Sequence, residues 1–117
     1  ELHPLLAQSK LVSFCREKGI QVQAYSPVAR MHEQLILNKT LVSIAEKLSK
    51  SVPQIVLRWD YQHGIVTVVK SGNPGRLREN IGMLSFSLSI KEMEAIDELN
   101  IDFRVRHDPD SCDFSKL

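Results

Sequence analysis

At 117 residues, 43% hydrophobic and 25% charged, the chain is long enough for one globular domain and too short for two ordinary ones. Fifteen basic residues against fourteen acidic leave a net charge of +1, which excludes the strong basic field of a nucleic-acid binder, and no apolar run approaches the length of a membrane span. Cys15 and Cys112 have neither metal-ligand spacing nor the density of a disulfide scaffold and read as free thiols; with no signal peptide at the start, a soluble cytoplasmic protein is expected.

The chain opens on Glu1-Leu2-His3-Pro4, which reads as the end of a strand, so that the sequence is expected to begin in mid-fold. Residues Leu6 to Lys18 carry Leu11, Phe14 and Cys15 on one helical face, and Gly19 supplies the C-cap. Ile20 to Tyr25 alternates with period two and stops at Ser26-Pro27, predicting a strand whose carboxyl end presents Tyr25 and Ser26. Val28 to Lys39 has little pattern and reads as a loop. Thr40 is positioned to cap a helix in which Leu41, Ile44, Ala45 and Leu48 recur at helical spacing. Ser51 with Gln54 three residues later forms a capping box for a second piece, with Val52, Ile55, Val56 and Trp59 as its apolar stripe and Gly64 at its end.

Ile65 to Val69 is a β-branched run bounded by Gly64 and Lys70-Ser71-Gly72, the pattern of a strand buried on both faces. Asn73 and Pro74 then start a helix carrying Leu77, Ile81 and Leu84. A strand, a loop and a helix in this order point the free N–H groups of the helix at the carboxyl end of the strand, where an anion can sit, with Lys70, Arg76 and Arg78 nearby. The same residues also suit an ordinary capped helix with a solvated basic face. A further capping box, Ser89 to Glu92, begins a helix with Met93, Ile96 and Leu99. The tail, residues 102–117, is charged, broken at Asp108-Pro109-Asp110, and without periodicity to anchor it. His3 reads as a packing or capping side chain at a strand end, and His32, His63 and His107 lack ligand spacing.

Alternating β and α elements argue for an α/β fold with a parallel sheet and right-handed crossovers. Three strands, one of them truncated, leave edges and an apolar face uncovered, and the simplest resolution is the C-terminal portion of a (β/α)8 TIM barrel, about strands six to eight, whose last loops commonly bind phosphate.

With these elements placed, Glu1-Leu2-His3-Pro4, Ala24-Tyr25-Ser26-Pro27, Leu57-Arg58-Trp59, Lys70-Ser71, Arg76 and Glu79-Asn80, in this order and spacing, resemble the C-terminal part of an aldo-keto reductase from Glu1 to about Leu99. The resemblance implies a barrel that binds NADPH without a Gly-rich fingerprint and reduces aldehydes or ketones by hydride transfer. It implies that Tyr25 stacks on the nicotinamide, and that Ser26 and Val28 line the pyrophosphate, although the family more often has Leu at the place of Val28. Lys70, Ser71 and Arg76 are implied to clamp the adenosine 2′-phosphate, and Glu79 and Asn80 to hold the adenine. Asn73 stands where the family often has a hydroxyl residue that also reaches the phosphate.

The family's catalytic tyrosine, lysine, aspartate and histidine belong to earlier strands, so no catalytic residue and no metal ligand is expected in this chain, which would be inactive alone. Three roles stay open: the NADP-binding portion of a reductase of small carbonyl compounds, a nucleotide-binding fragment without activity, and a non-enzymatic structural or regulatory use of the fold. Neither nucleic acid nor membrane is an expected partner. Self-association, or pairing with the missing N-terminal part, is expected instead.

Overall fold

The computed structural model of the protein describes residues 1–116. Helix α1 (Ser9–Glu17), strand β1 (Gln23–Tyr25), helices α2 (Glu33–Ile36), α3 (Lys39–Leu48) and α4 (Val52–Gln62), strand β2 (Val66–Val68), and helices α5 (Pro74–Ile81) and α6 (Ile90–Asp97) follow one another in that order. The two strands pair in parallel, with Gln23 beside Val66, Ala24 beside Thr67 and Tyr25 beside Val68.

Both strands are shorter than their sequence patterns. Ile20 lies outside β1 because its N–H is committed to the Cys15 carbonyl at 2.8 Å, closing the end of α1 around Gly19, whose φ is +69°, and Val22 meets β2 only through its carbonyl, which accepts from the Val66 N–H at 3.1 Å. The same closure, Ile65 N–H to Asp60 carbonyl at 3.0 Å across Gly64 at φ +72°, ends α4 and launches β2. β2 is also not buried on both faces. Period two sends Ala24 into the core, while Tyr25 (53% exposed), Val66 (46%) and Val68 (56%) stand on an open face. The β-branched run suits cover on both sides, and nothing among the described residues covers this one.

Capping follows the sequence with one correction. Ser51 and Ser89 each form the expected capping box, with Gln54 and Glu92, and Asn73 caps α5 with Pro74 in its first turn. The cap of α3 is Asn38, whose Oδ1 accepts from the N–H groups of Thr40 and Leu41 at 3.0 and 3.2 Å, so Thr40 falls inside the first turn. The segment from Val28 to Lys39 is more structured than a loop: a turn at Ala29–Met31 precedes α2, which His32 caps, and Ala29 and Leu35 are fully buried. Glu1 to Pro4 is no strand. His3 and Leu6 bond to each other across a tight turn, and the Leu2 N–H reaches the Tyr25 carbonyl at 3.2 Å.

The core gathers Leu2, Leu5, Leu35, Leu41, Ile55, Val56, Trp59 and Ile96. The expected apolar face of α1 does not join it. Leu11 and Phe14 are exposed and Cys15 half-buried, and Val12 makes the contact with the core instead. Leu77, Ile81 and Leu84 after β2 are exposed as well.

Helix α4 ties the sheet to the C-terminal helices through polar side chains. The Trp59 indole N–H donates to Asp97 Oδ1 at 2.8 Å, and His63 Nε2 meets the same oxygen at 2.7 Å. The Gln62 amide pairs with both backbone groups of Leu88, and the Arg58 guanidinium reaches the Met83 carbonyl and Ser87 Oγ. Near the start of the helix, the Gln54 amide donates to the Glu79 carbonyl at 2.8 Å.

Asp60, in the last turn of α4, is fully buried, and neither carboxylate oxygen has a hydrogen-bond partner among the described residues. Burial pushes its carboxyl well above the ordinary 3.8. A raised acid pKa means the folded state holds its proton at pH values where the unfolded chain has released it, so Asp60 favours folding at acid pH and loses that contribution as pH rises. Asp60→Asn should therefore stabilise the fold by about 1–3 kcal/mol at pH 7. In urea unfolding, the advantage should shrink as pH falls toward about 4.

Candidate cofactor site

The site forms where β1 and β2 end side by side. Alternation along β1 sets Tyr25 on the open face, next to Val68 in register. Ser26, at φ +51°, turns the chain away from the sheet, and Ala29, Arg30 and Met31 continue with three successive left-handed residues at φ +49°, +54° and +59°. Left-handed backbone costs a non-glycine residue about 1–2 kcal/mol, and such conformations cluster where a loop is held in shape for binding.

Tyr25, Ser26 and Val28 on one side and Val68, Val69 and Lys70 on the other line a cleft of about 540 Å³, completed by Pro27, Arg30, Met31 and Arg106. Among the described residues three cations, Arg30, Lys70 and Arg106, line it, and no carboxylate does. On a chain of net charge +1 this is a local concentration of positive charge that favours an anionic ligand.

Beyond Lys70 the chain passes to the start of α5. The Ser71 hydroxyl donates to the Asn73 carbonyl at 3.3 Å and accepts from the Asn73 N–H at 3.2 Å. Asn73 Oδ1 accepts from the N–H groups of Gly75 and Arg76, which leaves its amide N–H groups as the donors it can offer outward. Arg76 is exposed, and neither it nor Lys70 is in an ion pair among the described residues. Glu79 and Asn80 lie toward the end of α5, half-buried. Of the residues singled out in the sequence, Tyr25, Ser26, Val28 and Lys70 thus share one cleft, while Ser71, Asn73, Arg76, Glu79 and Asn80 follow along the adjoining loop and helix.

Arg106 has no sequence signal. The aperiodic tail that carries it is nonetheless anchored: the Glu1 carboxylate accepts from the N–H groups of Val105 and Arg106 at 2.8 and 2.6 Å and pairs with His3 Nε2 at 2.7 Å. Phe103 N–H adds a bond to the Leu5 carbonyl at 2.9 Å. This attachment joins residues more than a hundred positions apart and sets the Arg106 guanidinium 5.5 Å from the centre of the Tyr25 ring. His3, fully buried, is a structural partner of Glu1 and does not line the cleft; His63 likewise serves the Asp97 junction.

The Aldo/keto reductase family model matches residues 1–101. The chain belongs to that family. It is 46% identical over 114 residues to an uncharacterized oxidoreductase, YtbE, of Bacillus subtilis, covering 97% of this chain and 40% of the relative. It is 49% identical over 112 residues to a 9,11-endoperoxide prostaglandin H2 reductase of Trypanosoma cruzi, covering 95% and 40%. Among solved structures, a point mutant of Gox0644 in complex with NADPH superimposes with a TM-score of 0.89 at 33% identity, over 97% of this chain and 42% of that one. An aldo-keto reductase, MGS-M4, from a deep-sea metagenome library gives 0.92 at 31% identity with the same coverage. The chain thus spans about 40% of the length of these relatives, and its α/β architecture is part of a (β/α)8 barrel. No helix in the described residues is long and apolar enough to cross a membrane.

The Glu1 junction has a definite pH dependence. Burial pushes the Glu1 carboxyl up, but the Val105 N–H, His3 and the Arg106 N–H outweigh it and hold it below the ordinary 4.5. Burial holds the His3 imidazole below its ordinary 6.5 against the opposing pull of Glu1. Both values are depressed on folding, so the stabilisation is present above the ordinary values and is lost as pH falls through the folded ones. Hydrogen-exchange protection of the Val105 and Arg106 amides should decline as pH falls toward and below 4.5. Glu1→Gln should lower it roughly tenfold at pH 7, since a bond to a charged group contributes about 1.5–3 kcal/mol, and should remove most of its acid dependence.

Proposed function

We propose that this chain supplies the NADP-binding portion of an aldo-keto reductase that reduces aldehydes or ketones by hydride transfer. The observation that carries the reading is the cleft at the paired strand ends, lined among the described residues by an exposed tyrosine ring and by cations in no ion pair, and by no carboxylate. A flat ring and a run of phosphates, one of them a terminal monoester, match that donor set. The NADPH complex of Gox0644, similar over nearly the whole chain, supports the same ligand.

In this reading Tyr25 offers its open face to the nicotinamide and holds it in one orientation, a positioning role. Ser26 and the backbone at Val28 line the pyrophosphate. Lys70, Ser71 and Arg76 hold the adenosine 2′-phosphate, with the free amide N–H groups of Asn73 as additional donors and the N–H groups at the start of α5 directed the same way. Glu79 and Asn80 hold the adenine. The bound cofactor supplies the hydride. The proton donor and the rest of the catalytic set lie outside this chain, which places it at the C-terminal end of the barrel and leaves it inactive by itself. Free thiols at Cys15 and Cys112 suit a reducing compartment, the cytoplasm.

The open face of the sheet favours a protein partner as well. Val66, Val68, Leu11 and Phe14 are exposed apolar side chains that a finished barrel would cover. The partner is either the N-terminal part of the barrel or a second copy of this chain. At micromolar concentration the 117-residue chain should elute in size-exclusion chromatography with light scattering above its 13.3 kDa monomer mass; a monodisperse monomer would contradict this.

The phosphate clamp is tested by cofactor choice. Lys70→Met and Arg76→Ala should each weaken NADPH binding by roughly tenfold or more, the equivalent of losing one charge-assisted hydrogen bond. NADH binding should change little. Equal losses for the two cofactors would remove the 2′-phosphate from the reading.

A further inference from the structure

Arg106 is a cation of the cleft that no part of the proposed clamp accounts for. It does not lie on the Lys70 to Arg76 segment. The tail brings it in from the far end of the chain, and the Glu1 carboxylate fixes its backbone through two N–H bonds, one of them its own at 2.6 Å. Its guanidinium stands 5.5 Å from the centre of the Tyr25 ring, its Nε is buried without a hydrogen-bond partner, and it is in no ion pair among the described residues. The Glu1 carboxylate beside its backbone spends its two oxygens on N–H groups and His3. A full positive charge is thus held beside the aromatic ring at the nicotinamide end of the site.

We infer that Arg106 sets the preference of the site for the reduced over the oxidised cofactor. The inference rests on the reading of Tyr25 as the tyrosine that stacks on the nicotinamide. The two redox forms share every phosphate and the adenosine, so Lys70, Ser71 and Arg76 do not tell them apart. They differ at the ring: the oxidised nicotinamide carries a formal positive charge and the reduced ring carries none. A ring that stacks on Tyr25 comes close to the guanidinium that Tyr25 already faces, and the charged form alone is repelled. Like charges about 8 Å apart at an effective dielectric of about 50 repel enough to change an affinity roughly fourfold. Such a bias speeds release of the oxidised product and favours the direction of reduction. No bond is made or broken by Arg106, which is a specificity residue and not a catalytic one.

The test is equilibrium titration of the protein with NADPH and with NADP+ separately, by calorimetry at fixed low ionic strength. The wild-type chain is compared with Arg106→Gln, Arg106→Lys and, as a control for net charge, Arg104→Gln, which lies outside this cleft. Arg106→Gln is expected to shift the ratio of affinities toward NADP+ by roughly fourfold, and Arg106→Lys and Arg104→Gln are expected to keep the wild-type ratio. A far-UV circular dichroism spectrum matching the wild type reports that Arg106→Gln is folded. A ratio of affinities that Arg106→Gln leaves unaltered overturns the inference, as does an equal loss for both forms, which would make Arg106 a phosphate contact. Failure of the wild-type protein to bind either cofactor would overturn the functional reading itself, a result distinct from binding without discrimination.

Discussion

The packing of α4 beneath the sheet is the constraint on which the rest of the structure depends. Its apolar residues, Ile55, Val56, Leu57 and Trp59, are buried almost completely, and its polar residues reach forward along the chain. The turn at Gly64 converts the end of α4 directly into β2, so the position of the helix fixes where β2 begins and, through parallel register, where β1 ends. Gln54, Arg58, Gln62 and Trp59 then hold α5, the segment after it and α6. A helix that has to satisfy apolar contacts on one side and backbone groups on the other has little freedom to shift, and the cleft inherits that rigidity.

What the sheet does not do is close. Two strands of three residues each give only a short ladder, and a sheet with one covered face leaves Tyr25, Val66 and Val68 in solvent. Tyr25 therefore has two reasons to be exposed: it lines the cleft at the strand ends, and it shares the face with side chains that a longer barrel would cover. The cation beside its ring and the cleft at its side distinguish it from Val66, which has only the second reason.

Much of this is legible in the residues, and the divide is physical. Signals that act over three or four positions are reliable here: the boxes at Ser51 and Ser89, the Asn73-Pro74 start, and the glycine ends at Gly19 and Gly64. Tyr25 and Lys70 can be placed at strand ends because period two and a β-branched run bounded by turn residues need no distant partner. The N-cap of α3 is ambiguous in sequence because Asn and Thr both serve in that role, and the choice of Asn38 over Thr40 depends on where the preceding turn leaves the chain. The pattern of β2 overstates its burial because composition reports what a strand tolerates, not what lies against it. The apolar stripe of α1 misleads for the same reason: Leu11 and Phe14 have the spacing of a core face, but α1 meets the core through Val12.

The attachment of the tail is the least legible feature, because it is made by one carboxylate at the opposite end of the sequence. Glu1 reads locally as a polar residue near a histidine, and residues 102–117 read as a charged tail without a helical or strand period. Only in three dimensions does a single acceptor meet two consecutive N–H groups that no regular element satisfies. The consequence reaches the cleft. A tail held by its backbone leaves the Arg106 side chain free of structural duties, and it stands beside an open aromatic face as a cation in no ion pair among the described residues. The local signals of the sequence build the cleft and its Lys70 end; the long-range junction at Glu1 determines which charge stands beside the Tyr25 ring.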